Sequence, residues 1–120
     1  MKPKFTPGKN IAMKVPAHEF DGTVAFYRDI LCFEEVNSSS PDDIESVTFK
    51  FGDKNLWIDK IPGISQAEVW FEVVTEDIEV ASEYFEKNNC IRRDEIEPLP
   101  EGFRGFWLAN PATIIHLITK

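Results

Sequence analysis

Cysteine and basic residues are scarce in this sequence, and long apolar runs are missing. Cys32 and Cys90 form no CxxC pair and have no histidine at a metal-like spacing, so we interpret them as reduced, buried structural residues rather than a disulfide or catalytic thiols. No apolar stretch reaches the roughly 18 residues of a membrane span, and residues 1–15 lack the apolar core of a secretory signal. With 13 basic against 21 acidic residues, the net charge of −8 disfavours binding to a phosphate backbone. The sequence therefore predicts a cytoplasmic protein with neither a nucleic-acid nor a membrane partner.

Motifs of several common enzyme classes are also missing. The sequence has no GxGxxG, P-loop, GxSxG or HExxH pattern. Its 120 residues, of which 42% are hydrophobic and 12% aromatic, suit one globular domain with a real core. We therefore treat residues 1–120 as a single domain whose ligand is a small molecule or another protein.

Two segments have the hydrophobic periodicity of a helix. In residues 20–31 the apolar side chains that share one face are Phe20, Val24, Tyr27 and Leu31. In residues 76–89 they are Ile78, Ala81 and Phe85. Thr75 is the expected N-cap of the second helix, and Asn88-Asn89 its end.

The rest of the chain is predicted to form strands separated by turns. Six segments have strand-like alternation or apolar content: 10–15, 46–51, 55–60, 68–74, 103–109 and 113–119. Two weaker candidates, 32–37 and 90–97, directly follow the helices, and SSSPDD at 38–43 is the clearest turn. The resulting order is strand, helix and three strands, and then the same again.

This order indicates an internal repeat. A shift of 58 residues aligns the two halves without a gap, so that Met13 falls on Phe71, Val15 on Val73 and Phe49 on Trp107. Identity adds nothing, because few aligned residues match; the support is the shared order of elements and of apolar positions. Coincidental spacing of ordinary amphipathic elements is the alternative.

The repeated unit resembles the vicinal-oxygen-chelate superfamily, which contains glyoxalases, extradiol dioxygenases and bleomycin-resistance proteins. The resemblance lies in NIAMKV…TVAFYRDILCFEEV, in VWFEV…DIEVASEYF and in FWLANPATIIHLI. It implies an α+β fold of two tandem βαβββ modules, at about 8–62 and 66–119, that form curved mixed sheets around a central cavity with the helices outside. It also implies a homodimer.

The resemblance further implies four positions that hold a metal in metal-using members. Carried over by position, they are Asn10, Ile58, Glu68 and His116. An amide is a weak ligand and Ile58 has no donor atom, so we predict no metal and no other cofactor. Asp59 could replace Ile58 only if the strand shifted by one residue, which would turn the side chain to the other face.

Strand alternation predicts which side chains face the cavity. The predicted apolar walls are Ile58, Trp70, Phe106, Leu108 and Ile114, and the predicted polar groups are Lys14, Lys50, Glu68, Glu72, Arg104 and His116. The ligand-binding residues we predict are Glu68, Trp70, Arg104, Phe106 and His116, with Glu68 and His116 as a possible functional pair. A purely structural interpretation is the alternative for these residues. It makes the two lysines and Glu72 solvated charges, and it makes Trp70 and Phe106 packing residues between the sheets. In the same interpretation Arg104 forms an ion pair and His116 is a core residue.

Two function classes follow. The first is a metal-independent protein of the bleomycin-resistance type that holds a small organic molecule in an apolar cavity. The alternative is a divalent-metal-dependent lyase, isomerase or dioxygenase, which needs at least three good ligands and an open coordination position. No residue is assigned a catalytic role. A protein-interaction module is a third possibility that no residue pattern favours.

Overall fold

The computed structural model describes residues 2–36 and 44–120, so the predicted turn at 38–43 lies outside the described residues. The fold is α+β. The chain divides into two compact units: a first unit, Lys9–Val69, and a second unit, which combines Trp70–Lys120 with the N-terminal residues up to Gly8.

The first unit packs one helix on one face of a mixed sheet. Its elements are β1 (Phe5–Pro16, which enters the unit at Lys9), α1 (Phe20–Ala25), β2 (Glu35–Val36), β3 (Ser46–Phe51) and β4 (Lys54–Ile61). The strand order is β2–β3–β4–β1, with β1 parallel to β4 and the other pairs antiparallel. Its buried apolar core consists of Val15, Phe20, Val24, Phe49, Leu56 and Ile58.

The second unit repeats this order of elements. Its elements are β5 (Glu68–Thr75, which enters the unit at Trp70), α2 (Ile78–Lys87), β6 (Ile91–Arg92), β7 (Gly105–Ala109) and β8 (Ile115–Thr119). The strand order is β5–β8–β7–β6, with β5 parallel to β8. The core against α2 consists of Ala81, Phe106, Leu108 and Ile118, with Phe5, Val73, Ile78 and Phe85 packed around it.

The helices lie where the periodicity predicts, with two corrections. A π-helical turn, Phe26–Ile30, continues α1 and changes the helical phase, so Leu31 is exposed instead of facing the core. The N-cap of α2 is Asp77, whose carboxylate accepts a hydrogen bond of 3.1 Å from the Val80 amide. Thr75 is instead buried, and its hydroxyl donates to the Lys4 carbonyl. The predicted end is confirmed, since α2 stops at Lys87 and Asn89 adopts a positive φ of 59°.

β1 begins five residues earlier than the sequence pattern predicts. Its first part belongs to the second unit, where the Phe5 ring lies 5.1 Å from Phe85 and 6.1 Å from Tyr84. Pro7 and Gly8 concealed this extension, because both residues are depleted in strands.

The β3–β4 and β7–β8 hairpins differ in register, and this difference reverses which side chains of β7 face the helix. β1–β4 and β5–β8 agree with the 58-residue repeat, since Met13 pairs with Ile58 and Phe71 with His116. The β3–β4 turn has two residues, 52–53, whereas 110–114 separate β7 from β8. The three extra loop residues shift β7, so that Trp107 pairs with Leu117. An odd shift turns every side chain over, and the predicted equivalence of Phe49 with Trp107 is therefore wrong.

Asn110 and Thr113 determine the conformation of the longer loop, 110–114, between β7 and β8. The Asn110 side-chain oxygen accepts hydrogen bonds of 2.9 Å from the Ala112 and Ile114 amides. Thr113 has a φ of 65°, a left-handed conformation that is costly for a β-branched residue.

Replacing Thr113 with glycine is expected to raise the free energy of unfolding by up to about 1 kcal/mol, because glycine adopts this conformation without a Cβ clash. Urea denaturation measures the change. Thr113→Ala is the matched control and should gain less, since alanine loses the β-branch but keeps the Cβ. An equal gain in both variants would place the strain elsewhere.

Candidate functional site

Two tryptophans meet on the sheet face opposite α2. Trp70 of β5 and Trp107 of β7 lie edge to face, with ring centroids 5.2 Å apart and planes at 66°. Strand alternation explains the placement of Trp70, because its neighbours Phe71 and Val73 point toward the α2 side. The prediction that Trp70 faces away from the helix is confirmed, whereas Trp107 was missed because of the β7 shift.

The segment that follows β6 holds Trp107 in position. The Trp107 indole donates a hydrogen bond of 2.8 Å to the Glu97 carbonyl, and its amide donates to the Asp94 carboxylate. The Trp107 carbonyl accepts from the Arg93 amide at 2.9 Å. Arg93 also donates a 2.6 Å hydrogen bond to Glu95, and this bond holds the pKa of the exposed Glu95 carboxyl below its usual value. Only Ile91–Arg92 of the predicted strand 90–97 is a strand, and the residues that follow hydrogen-bond instead to the backbone and the indole of Trp107.

Glu72 lies on the same side of β5 as Trp70. Its carboxylate packs against Gly8, where any Cβ would overlap the Glu72 side chain. Gly8 is buried, and this close approach explains why a glycine suits the position. The face opposite α2 therefore combines two indoles with a carboxylate. Trp107 is only 6% exposed and supports Trp70 from behind, so Trp70, which is partly exposed, is the indole that can stack on a flat or cationic molecule.

Glu68 and His116 lie in different surroundings. Glu68 is the exposed first residue of β5. His116 is partly buried on β8, where its Nδ1 lies 3.1 Å from the Ile114 carbonyl and its ring 5.6 Å from the Phe71 ring. Because His116 pairs with Phe71 and lies two residues before Ile118, it points to the α2 side. The prediction that it faces away from the helix is wrong; its predicted role in ligand binding stays a prediction.

Arg104 and Phe106 are also turned differently from the prediction. Arg104 is exposed and forms a bidentate pair with Glu79 of α2 at 3.1 Å to each oxygen, as the ion-pair alternative anticipated. Phe106 is buried in the α2 core, with the Arg92 guanidinium 4.2 Å above its ring. Leu108 is in the same core. The shift of β7 causes these corrections, so Phe106 and Leu108 do not line the face of Trp70.

Ile58 is a core residue of the first unit. It is fully buried with Val15, Phe20 and Leu56 on the α1 side, which corrects its predicted place in a cavity wall. Asp59, the next residue of β4, consequently points to the opposite face. Asp59 reaches that face without a shift of β4, because the register of β4 on β1 places Asp59 beside Lys14.

Lys14 and Asp59 form a buried ion pair. The Lys14 ammonium lies 2.7 Å from Asp59 Oδ2, and the two residues are 3% and 6% exposed. The Ser46 hydroxyl, on the neighbouring strand, donates to Asp59 Oδ1. The solvated-charge alternative therefore fails for Lys14; it holds for Lys50, which is exposed 3.8 Å from Glu34.

Other polar side chains on the face opposite α1 also form hydrogen bonds with one another. Asn10 Oδ1 accepts a 2.8 Å hydrogen bond from the Trp57 indole and a longer one from Asn55. A divalent metal does not fit these residues: Ile58 offers no donor, while the oxygens of Asn10 and Asp59 already accept hydrogen bonds. In the part of the chain that the structure describes, no group of three or more histidine, cysteine, aspartate or glutamate side chains is arranged to hold a metal.

Two other features lie away from these residues. Cys32 and Cys90 are both exposed free thiols, which corrects their predicted burial. A surface depression of about 490 Å³ is lined by Glu83, Glu86, Lys87 and Asn89 on and just after α2, and it includes none of the predicted site residues.

Solved structures with a similar fold include enzymes and a superfamily member of similar length. The Mn(II)-bound glyoxalase from Novosphingobium aromaticivorans matches with a TM-score of 0.66 and 16% identity, over 98% of this chain and 39% of that one. Homoprotocatechuate 2,3-dioxygenase from Arthrobacter globiformis matches with 0.62 and 16%, over 98% and 36%. A glyoxalase/bleomycin resistance protein/dioxygenase superfamily member from Vibrio splendidus 12B01 matches with 0.62 and 18%, over 94% and 97%. The chain thus spans well under half the length of the first two proteins.

These likenesses, together with the strand order and helix placement of each unit, define the class of fold. The chain has the vicinal-oxygen-chelate fold. No protein-family model matches the sequence, and no curated protein matches it. None of the helices in the described residues is long and apolar enough to cross a membrane.

Proposed function

We propose that this protein binds a small organic molecule without a metal, in the manner of the bleomycin-resistance type of its fold class. The observation that carries the proposal is the Trp70–Trp107 pair on the sheet face opposite α2. Indole rings provide large contact area at low entropic cost, and the nearby Glu72 adds a polar group that can orient a ligand. The tandem βαβββ modules and the central cavity implied by the family resemblance are part of this proposal.

The polar face of the first unit supports the metal-free part of the proposal. Asp59 is neutralised by Lys14, and Asn10 is engaged by Trp57. The alternative, a metal-dependent lyase, isomerase or dioxygenase, draws on the neighbours named as a Mn(II)-bound glyoxalase and a dioxygenase. Metal analysis of protein purified without a histidine tag separates the two: one equivalent of tightly held metal favours the enzyme.

The location that we propose follows from the sequence, and the homodimer follows from the family resemblance alone. The protein is a cytoplasmic homodimer that binds neither nucleic acid nor membrane. Sedimentation at micromolar concentration tests the dimer, and a monomer there counts against it.

Replacing Trp70 with alanine is expected to weaken ligand binding by about 1–3 kcal/mol, because an aromatic wall supplies much of the contact area. A thermal-shift screen of aromatic and heteroaromatic compounds supplies the ligand, and calorimetry on the hits measures the affinity. Phe71→Ala is the matched control: Phe71 adjoins Trp70 but points to the α2 side, so affinity should stay unchanged. A compound that binds Trp70→Ala as tightly as it binds wild type would show that the face opposite α2 is not its binding site.

A further inference from the structure

Four large apolar side chains of the first unit lie exposed beyond the end of α1. We call them the α1 patch, and each is at least 41% exposed: Phe26, Ile30, Leu31 and Phe51. Two partly buried rings connect the patch. The Tyr27 ring contacts Phe26 at a centroid distance of 5.2 Å and Phe33 at 6.1 Å, and Phe33 contacts Phe51 at 5.8 Å. The patch is therefore continuous, and continuous exposed apolar surface marks an interaction site, unlike scattered apolar residues.

The π-helical turn Phe26–Ile30 contributes to this exposure. An α-helix would carry the buried face of Phe20 and Val24 on to Leu31, as the sequence spacing predicts. The wider turn rotates Leu31 out of the core instead. Such turns are rare and occur frequently at functional sites. An interface at the α1 patch would bury the leucine that the core leaves out.

The second unit is polar at the positions that correspond to the centre of the patch. The 58-residue shift places Asn88 on Ile30 and Asn89 on Leu31, and α2 is α-helical up to Lys87. Two amides there suit contact with water. Because both units share the same order of elements, the fold itself does not require apolar residues at this junction. The α1 patch is a property of the first unit alone.

The charges beside the patch favour a second copy of the chain as its partner. Arg28 and Asp29 lie in the π-helical turn, both exposed and 3.3 Å apart. In a two-fold symmetric interface the same surface meets itself, so each copy must offer groups that complement its own. Arg28 and Asp29 do so, because each arginine can face the aspartate of the other copy. The chain carries a net charge of −8, yet these two charges cancel, so a strongly charged partner finds no match in this turn.

We propose that the α1 patch is the surface through which two copies of this chain form a two-fold symmetric dimer. The proposal rests on the homodimer of the proposed function and adds the residues that form it. It makes no use of the Trp70 face, so a failed ligand screen leaves it standing. Cys32, an exposed thiol directly after Leu31, then lies at the edge of the interface in both copies.

Sedimentation velocity over a range of protein concentrations tests the surface with two double variants. Ile30→Asn with Leu31→Asn copies the residues of the second unit into the patch. We expect it to raise the dimer Kd on the order of 100-fold, because the symmetric interface loses each side chain twice. Val80→Asn with Ile91→Asn is the matched control, since these residues of the second unit are 40% and 65% exposed; it should dimerise like wild type. Far below the dimer Kd, both variants should unfold like wild type, because the substituted residues are exposed in each protomer.

The two natural thiols give a second readout that leaves the patch unchanged. Cys32 and Cys90 are both exposed, and the 58-residue shift places one on the other. A short bifunctional maleimide should link two copies of Cys90→Ser, which keeps the thiol beside the patch. It should leave Cys32→Ser unlinked under the same conditions.

The possible failures are distinguishable. A wild-type protein that sediments as a monomer overturns both the homodimer and this surface, and binding of that monomer to phosphatidylcholine vesicles would assign the patch to a membrane. A dimer that persists in Ile30→Asn with Leu31→Asn overturns the surface alone. Cross-linking through Cys90 in place of Cys32 does the same, and it decides the question if the double variant does not fold.

Discussion

Replacing Phe106 with alanine is expected to lower the free energy of unfolding by about 3–5 kcal/mol, the usual cost of removing a buried aromatic ring. Phe106 is only 2% exposed, contacts Phe85 edge to face at 6.1 Å, and lies beneath the Arg92 guanidinium. Its loss would leave a cavity against α2 and also remove the cation–π contact. Urea denaturation monitored by tryptophan fluorescence measures the change.

The Phe106→Ala variant also tests whether the Phe106 ring lies in the core against α2 or lines a ligand cavity. If the ring lined a ligand cavity, alanine would weaken a ligand and leave stability nearly unchanged. Phe71→Ala is a suitable comparison, because Phe71 is 42% exposed on the same side of the sheet. Its substitution should cost under about 1 kcal/mol. Equal, small losses in both variants would mean that β7 does not present Phe106 to α2.

Much of the fold could be predicted because local patterns and tertiary packing agree. The alternation of β1 and the periodicity of α1 both direct side chains to one core, and Val15, Phe20 and Val24 are buried there. In the second half, Ile78, Ala81 and Phe85 meet the sheet as their spacing predicts. The shift of 58 residues also agrees with the structure, because β5 pairs with β8 in the same register as β1 with β4.

The candidate site was predicted less well because side-chain direction depends on loop length. Gly52, with a φ of 67°, lies in the two-residue turn between β3 and β4. In the other hairpin, Pro111 follows Asn110 and the loop has five residues, 110–114. A gapless alignment cannot show this difference, which turns Trp107 away from α2 and Phe106 toward it.

The buried ion pair was missed for a related reason. Lys14 and Asp59 are 45 residues apart, and each alone reads as a solvated charge on a strand. Only the register of β1 against β4 makes them neighbours. Carrying the superfamily's ligand position onto Ile58 placed Asp59 on the wrong face, and this concealed the partner of Lys14.

Replacing Ile58 with glutamate is expected to lower the free energy of unfolding more than any other substitution described above. Ile58 is fully buried among Phe20, Phe49 and Leu56 against α1. A carboxylate there has no basic partner in that apolar cluster, so its burial costs several kcal/mol on top of the lost packing. We expect Ile58→Glu to lose its cooperative thermal transition and its near-ultraviolet circular dichroism.

Two matched variants make this prediction specific. Ile30→Glu changes an isoleucine that is 70% exposed and should stay within about 0.5 kcal/mol of wild type. Ile58→Val keeps the apolar core and should cost about 0.5–1.5 kcal/mol. If Ile58→Glu instead folds normally and gains affinity for Mn²⁺ or Zn²⁺, residue 58 lies on the face opposite α1. That result would restore the position at which the family resemblance places a metal ligand.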